Sequence, residues 1–334
     1  MPIPLNQQPR ASLGYFPTPL IELTRLSRHL GGPRILMKRD DQTGLALGGN
    51  KTRKLEYLVG AALAQGCDTL ITGGAAQSNH CRQTAAAAAA SGLECHLVLG
   101  GEAPDMPGGN LLLDQLLGAQ IHWSGELRKG ERIPEIAAQL KAAGRKPYIV
   151  PYGGSNAVGA LGYVNAAAEL KSQLAEQNLS ISHMVFASSS GGTHAGLIVG
   201  THQFGLDCEV MGITIDKDEA GDGPYPEHLC QLANETSALL GSEYRYDQTA
   251  ITLQDQFTGD GYGVVGELER HAIQLLATQE GILLDPVYTG RAMGGLLQLI
   301  DQGIFAKDET LLFWHTGGSP ALFPYAASLT RRDR

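Results

Sequence analysis

The stretch Gly48-Gly49-Asn50-Lys51-Thr52-Arg53-Lys54-Leu55-Glu56-Tyr57-Leu58 sets the grammar of this chain. Two glycines lead into Asn50, a favoured helix N-cap residue, and Leu55, Leu58, Ala61 and Ala62 follow at helical spacing. Just upstream, Ile35–Arg39 reads as a short strand. Strand, Gly-rich loop and helix then recur. Thr69–Thr72 runs through Gly73–Asn79 into an alanine-rich helix ending near Ala90. Strands over 95–99, 120–123 and 148–150 alternate with helices over 110–117 and 131–143, and Gly153–Asn156 opens onto a further helix. In the second half His183–Ser188 leads through Ser189–Thr193 into a helix over His194–Phe204. Glu209–Thr214 is a strand, 217–226 a loop, 264–279 helical, and Thr310–Trp314 a buried strand ending in His315-Thr316-Gly317-Gly318. This alternation predicts an α/β protein with a parallel, doubly wound architecture. The length, 334 residues, predicts two domains, and the absence of a linker predicts that the chain crosses between them more than once.

Lys51 stands in the first turn of its helix, where the positive end of the helix dipole disfavours an ammonium. Arg53 and Lys54 add like charge nearby, which again favours the neutral amine. An amine of this kind can hold an aldehyde as a Schiff base. The ordinary alternative is a solvated lysine on an amphipathic helix. The stretch also invites comparison with a nucleotide P-loop. From Gly44 it reads Gly-Leu-Ala-Leu-Gly-Gly-Asn-Lys-Thr, one residue too long for that motif, with Asn50 between the last glycine and the lysine.

Composition narrows the function classes. Hydrophobic residues make up 43% and charged residues 18%, the balance of a well-packed globular enzyme rather than a disordered chain. The net charge of −9 without a basic stripe argues against nucleic acid and anionic membranes as partners. No apolar run reaches membrane-spanning length, and Met1–Leu20 lacks a secretory h-region. Five widely spaced cysteines without a C-x-x-C pair predict reduced thiols and a cytoplasmic location. No metal site is expected, because the histidines lack ligand spacing. His80, His194 and His315 adjoin candidate loops and are expected to hydrogen-bond around a site. Neither a serine-hydrolase elbow nor a dinucleotide-binding G-x-G-x-x-G is present.

Four loops carry Gly-Gly with hydroxyl or amide residues, at 73–79, 153–156, 190–193 and 316–319. In an open parallel sheet they would lie at the carboxyl ends of the strands, where ligands bind. Ser189–Thr193, small, hydroxyl-rich and followed directly by a helix, is the best phosphate cradle. Any one of these loops could be a plain tight turn, and Gly153–Asn156 is read that way.

Taken together, Gly48–Glu56, Gln77-Ser78-Asn79-His80, Ser190–Leu197, Asp285-Pro286-Val287-Tyr288-Thr289-Gly290 and His315–Gly318 resemble the D-cysteine desulfhydrase and 1-aminocyclopropane-1-carboxylate deaminase family. The resemblance runs from about Pro17 to Tyr325. It implies a pyridoxal 5'-phosphate cofactor and the tryptophan synthase β-like fold (PLP fold type II), with two open, twisted, mainly parallel sheets flanked by helices. It further implies a homodimer, a large cofactor-binding domain over 1–50 and 166–334, and a small α/β domain over 51–165.

Carried over residue by residue, the resemblance makes Lys51 the Schiff-base lysine and Cα proton acceptor. Asn79 would bind the cofactor's ring hydroxyl, and Ser190, Gly191, Gly192 and Thr193 its phosphate. Tyr288 would pack by the ring and Thr316 would face the ring nitrogen. Gln77, Ser78 and Asn79 would receive the carboxylate of a small amino-acid substrate, with Tyr262 nearby. Tyr262 and Tyr288 could equally be half-buried aromatics, and Thr316 a turn residue. A hydroxyl at the ring nitrogen makes a tempered electron sink, which suits loss of a β-leaving group. The implied reaction is elimination from D-cysteine to pyruvate, ammonia and hydrogen sulfide. Ring-opening relatives carry an acidic residue where this chain has Thr289, which favours β-elimination. An L-cysteate sulfo-lyase remains an alternative, in which Arg53, Arg82 or Arg291 would meet the added charge. A nucleotide-binding or non-catalytic binding protein is a more distant alternative.

Overall fold

The computed structural model describes residues 3–216 and 223–330. Among the described residues, ten strands form two sheets. Strands β1 (Leu20–Glu22), β2 (Arg34–Arg39), β7 (His183–Ser188), β8 (Glu209–Thr214), β9 (Thr252–Gln254) and β10 (Thr310–His315) make a six-stranded sheet in the order β1-β2-β10-β7-β8-β9. Only β1 runs antiparallel. Strands β3 (Thr69–Ala75), β4 (Glu94–Gly100), β5 (Gln120–Trp123) and β6 (Pro147–Ile149) make a four-stranded parallel sheet in the order β5-β4-β3-β6.

The helices fall between the strands. In the first half they are α1 (Thr24–Leu30), α2 (Lys51–Ala64), α3 (Asn79–Ala90), α4 (Gly109–Leu116) and α5 (Ile133–Ala142). Then come α6 (Ala157–Glu176), α7 (Gly192–Phe204), α8 (Tyr225–Leu239), α9 (Glu267–Glu280), α10 (Thr289–Asp301) and the short α11 (Ala326–Leu329). The 217–226 loop overlaps α8 at its end, and residues 217–222 lie outside the described residues. Gly73 and Gly74 belong to β3 rather than to the loop after it. A Cβ on Gly73 would sit 2.6 Å from Gly130 Cα, so a close backbone approach explains the residue.

Alternation along the central strands sends apolar side chains to both faces of the larger sheet. Met37, Val185 and Phe313 join a cluster with Leu26, Ile273, Met293 and Leu296 of α1, α9 and α10. Their neighbours Leu36, Met184, Phe186 and Trp314 face Tyr163, Leu170, Leu197 and Leu232 of α6, α7 and α8. The smaller sheet packs Leu70, Leu97 and Leu99 on Leu55, Leu58, Ala85 and Ala88 of α2 and α3, and Ile71 and Val98 on Ile133 and Ile136 of α5. Residue 165 falls within α6, whose Tyr163, Val164, Ala166 and Leu170 all pack with the larger sheet.

A buried ion cluster ties α2 to β2 and α6. Arg53 bonds Asp40 through Nε and Nη2, both at 2.8 Å, and Glu169 through Nη1 and Nη2, both at 2.9 Å. Lys38 reaches Glu169 at 2.5 Å, while Tyr163 and Trp314 each donate to Asp40 at 2.7 Å. Burial alone would raise the Asp40 carboxyl, but Arg53, helped by Lys38 and Tyr163, more than offsets it and holds it below the usual range. Arg53 is thus a structural anchor rather than a charge beside Lys51. Helices α2 and α6 also meet closely at Gly162.

Candidate active site

Loops at the carboxyl ends of β2, β7 and β10 meet loops after β3 and β6 across one cleft. Its wall holds Lys51 and Lys54 from α2, Ser78, Asn79 and His80 from the start of α3, and Tyr152 and Gly153 after β6. Ala187 and Ser188 end β7, and Ser189–Gly191, Thr193 and His194 follow it; Thr316 and Gly317 follow β10; Tyr288 precedes α10.

Lys51 is the first residue of α2, as its sequence context suggests, but Asn50 does not cap that helix. Asn50 is itself helical (φ −59°, ψ −24°), and its Nδ2 donates to Thr193 Oγ1 at 3.2 Å. The cap comes from another helix, as Gln83 Oε1 on α3 accepts the Thr52 N–H at 2.9 Å. The approach to Lys51 is strained. Ala46 and Leu47 have φ of 41° and 69°, a conformation costing about 1–3 kcal/mol per residue. Arg82 Nη1 bonds the carbonyls of Ala46 and Gly48 and over-determines this turn.

The Ser189–Thr193 loop opens α7, with Gly191 at φ 91°. The 153–156 loop, read from sequence as a plain turn, buttresses it. Ser155 Oγ lies 2.8 Å from Ser190 Oγ and accepts the Gly192 N–H at 3.0 Å. Lys54 Nζ reaches Gly153 O and Ser155 Oγ, both at 3.2 Å. Burial pushes the Lys54 amine well below its ordinary pKa, with Lys51 adding to the effect. An anion in the loop would favour the charged form again. Lys54 is the site residue whose role sequence reading missed; its i+3 spacing from Lys51 was the available signal.

At the start of α3, Ser78 is the N-cap and accepts the Cys81 N–H at 3.2 Å. The Thr72 hydroxyl donates to Val150 O at 2.9 Å, so His80 Nε2 donates to Thr72 at 2.9 Å. Burial first, then the nearby Lys51 and Lys54, keep His80 neutral. His194 pairs with Ser188 at 2.9 Å, its pKa pushed down to about 3 by burial. His315 donates from Nε2 to Leu283 O at 3.0 Å and accepts the Gly317 N–H at 3.2 Å, shaping the turn after Thr316. Tyr288 and Tyr262 share a 2.6 Å hydrogen bond, and burial raises both phenols.

Of the sequence-derived site residues, Lys51, Ser78, Asn79, Ser190, Gly191, Thr193, Tyr288 and Thr316 line the cleft together. Gly192 supports it through its N–H, and Tyr262 stands behind Tyr288. The Gln77 side chain is turned to Gly108 O and the Asn110 N–H. Arg53, Arg82 and Arg291 are buried in protein bonds away from the wall, with Arg291 held by Glu269 at 2.6 Å. Thr289 bonds the Asp285 carboxylate beneath the wall. Among the described residues no cluster suits a metal ion.

An amine facing a hydroxyl- and N–H-lined loop with a buried lysine beneath it fits a phosphorylated aldehyde. A Cβ on Gly192 would sit 2.8 Å from Ser155 Oγ and 3.0 Å from Lys54 Nζ, so glycine keeps the cradle open.

Comparison with known proteins agrees with this chemistry. The chain is 47% identical over 327 residues to a D-cysteine desulfhydrase of Klebsiella pneumoniae (strain 342), covering 96% of this chain and 97% of that protein. It is 46% identical over 328 residues to a D-cysteine desulfhydrase of Serratia proteamaculans (strain 568), covering 96% and 97%. A solved "ACC deaminase homologue" superposes with a TM-score of 0.88 at 39% identity, covering 97% of this chain and 96% of that one. The two-sheet architecture is that of PLP fold type II, the tryptophan synthase β-like fold. Residues 11–317 match the family described as "Pyridoxal-phosphate dependent enzyme", and the chain belongs to that family.

Proposed function

We propose that this chain is a carbon–sulfur lyase that converts D-cysteine and water to pyruvate, ammonia and hydrogen sulfide. The observation that carries the proposal is one cleft holding Lys51, Asn79, Ser190, Thr193 and Thr316, in a chain that matches D-cysteine desulfhydrases over nearly its whole length. When bound, pyridoxal phosphate supplies the aldehyde for an amino group and a ring that draws electrons from Cα. The Ser190–Thr193 loop and Lys54 would hold its phosphate, Asn79 its ring hydroxyl, and Thr316 its ring nitrogen.

In this reading Lys51 takes the Cα proton at Nζ. The Ser78 hydroxyl and the N–H groups opening α3 hold the substrate carboxylate, which suits a helix N-terminus. Tyr288, backed by Tyr262, keeps its proton at neutral pH and offers a hydroxyl beside the departing sulfur.

The wall argues for a thiol over a sulfonate as leaving group. Its cations are Lys51 and Lys54, and none of the three candidate arginines reaches it. A homodimer is part of the same reading. So is a cytoplasmic setting, supported by five cysteines that are all free thiols. The test is a pyruvate, sulfide and sulfite assay across D-cysteine, L-cysteine, D-serine, L-cysteate and 1-aminocyclopropane-1-carboxylate. Sulfide and pyruvate from D-cysteine are expected. Sulfite from L-cysteate, or 2-oxobutyrate from the cyclopropane acid, as the faster reaction overturns the assignment.

A further inference from the structure

We infer that Arg82 and Asn110 are positioning residues that fix which end of the Asn79 amide faces the cleft; the inference rests on the reading of Asn79 as a cofactor-binding residue. Asn110 is fully buried on α4, outside the cleft wall. Its amide has three partners. Arg82 Nε donates to Asn110 Oδ1 at 2.9 Å, and Asn110 Nδ2 donates to Gln77 O and to Asn79 Oδ1, both at 2.9 Å. Two of these partners act in one direction only. A guanidinium cannot accept and a carbonyl cannot donate, so the Asn110 amide has one permitted orientation. That orientation brings an N–H to Asn79 Oδ1. The Asn79 oxygen is thereby held away from a ligand, and Nδ2, the donor, is presented.

Arg82 extends the relay to the catalytic lysine. The same guanidinium bonds Ala46 O and Gly48 O, in the strained turn that delivers Lys51. One buried cation thus sets the polarity of Asn79 and the position of the turn before α2. A donor at this point favours an anionic oxygen on the ligand over a neutral one, because hydrogen bonding to a charged form stabilises it.

The test uses full-length protein with pyridoxal phosphate. Two quantities are read: cofactor affinity of the stripped protein by fluorescence quenching, and the pH midpoint of the visible band in the loaded protein. Asn110→Ala should weaken affinity about five- to tenfold, the effect of one hydrogen bond, and move the midpoint by about half a pH unit or more. In an Asn79→Ala background the same substitution should do almost nothing further, since the relay acts through Asn79. Asn110→Ser provides the same comparison if Asn110→Ala does not fold. An unchanged midpoint in Asn110→Ala, or an effect that persists undiminished beside Asn79→Ala, overturns the inference. A wild-type protein that develops no visible band overturns the assignment of function instead.

Discussion

Replacing Gly162 with alanine tests how tightly the Lys51 helix is held. In the interior of a helix such as α6 this change alone gains about 1 kcal/mol from backbone entropy and propensity. Here the new Cβ would lie 2.3 Å from Arg53 O, 2.4 Å from Arg53 C and 2.8 Å from Lys54 N. All three are backbone atoms of α2, so no side-chain rotation relieves them. Ordinary contact is about 3.5–4.0 Å, which requires the helices to separate by roughly 1 Å. Overpacking of this kind costs about 1–3 kcal/mol, and separation also stretches the 2.8–2.9 Å bonds from Arg53 to Asp40 and Glu169. The clash outweighs the propensity gain, leaving a net loss of up to about 2 kcal/mol, read as a lower urea midpoint. Because α2 carries Lys51, turnover should fall by up to about a hundredfold with the cofactor still bound. A raised urea midpoint with unchanged turnover would refute the reasoning.

Three further outcomes are expected. Lys51→Ala should lose D-cysteine turnover by at least about a thousandfold, checked by sulfide release, while remaining folded by circular dichroism. Arg53→Met leaves the buried Asp40 and the partly buried Glu169 without their main counter-charge and should cost about 3–5 kcal/mol in chemical denaturation, far more than an exposed arginine would. Burial pushes the Asp114 carboxyl from its ordinary 3.8 up to about 8, with Arg82 offsetting only part of this. A folded pKa above the unfolded one gives a contribution that is full below about pH 4 and lost as the pH rises toward 8, at up to about 1.4 kcal/mol per unit. Asp114→Asn should therefore gain stability over the wild type between pH 5 and pH 8, and a constant difference in melting temperature across that range would count against it.

What was legible in the sequence were features whose causes are local. The strands at Ile35–Arg39, His183–Ser188 and Thr310–Trp314 stand out because their apolar runs end abruptly at Gly-rich loops, and those loops border the cleft. Features with distant causes were hidden. Asn50 looks like a cap, but the cap is supplied by Gln83, which only the folded chain brings beside Thr52. Arg53 reads as one more charge near Lys51 until Asp40 and Glu169 bury it. Helix α10 contains Gly290, Gly294 and Gly295, whose low helix propensity masks it in sequence, and burial along most of its length stabilises it in the fold. Gln77 shares a motif with Ser78 and Asn79, yet Asn110 and Gly108 draw its side chain away.

The ion cluster beneath α2 has a consequence for synthesis. Asp40 and Arg53 leave the ribosome close together, but Glu169 follows 116 residues after Arg53. Until α6 is made, Lys38 and Arg53 have one of their two carboxylates, and the helix bearing Lys51 lacks the partner that fixes its tilt. Domains fold largely in order of emergence. In this chain the lysine proposed to start the chemistry is translated early and locked late. A nascent chain stalled before residue 169 should contain the residue while lacking the site.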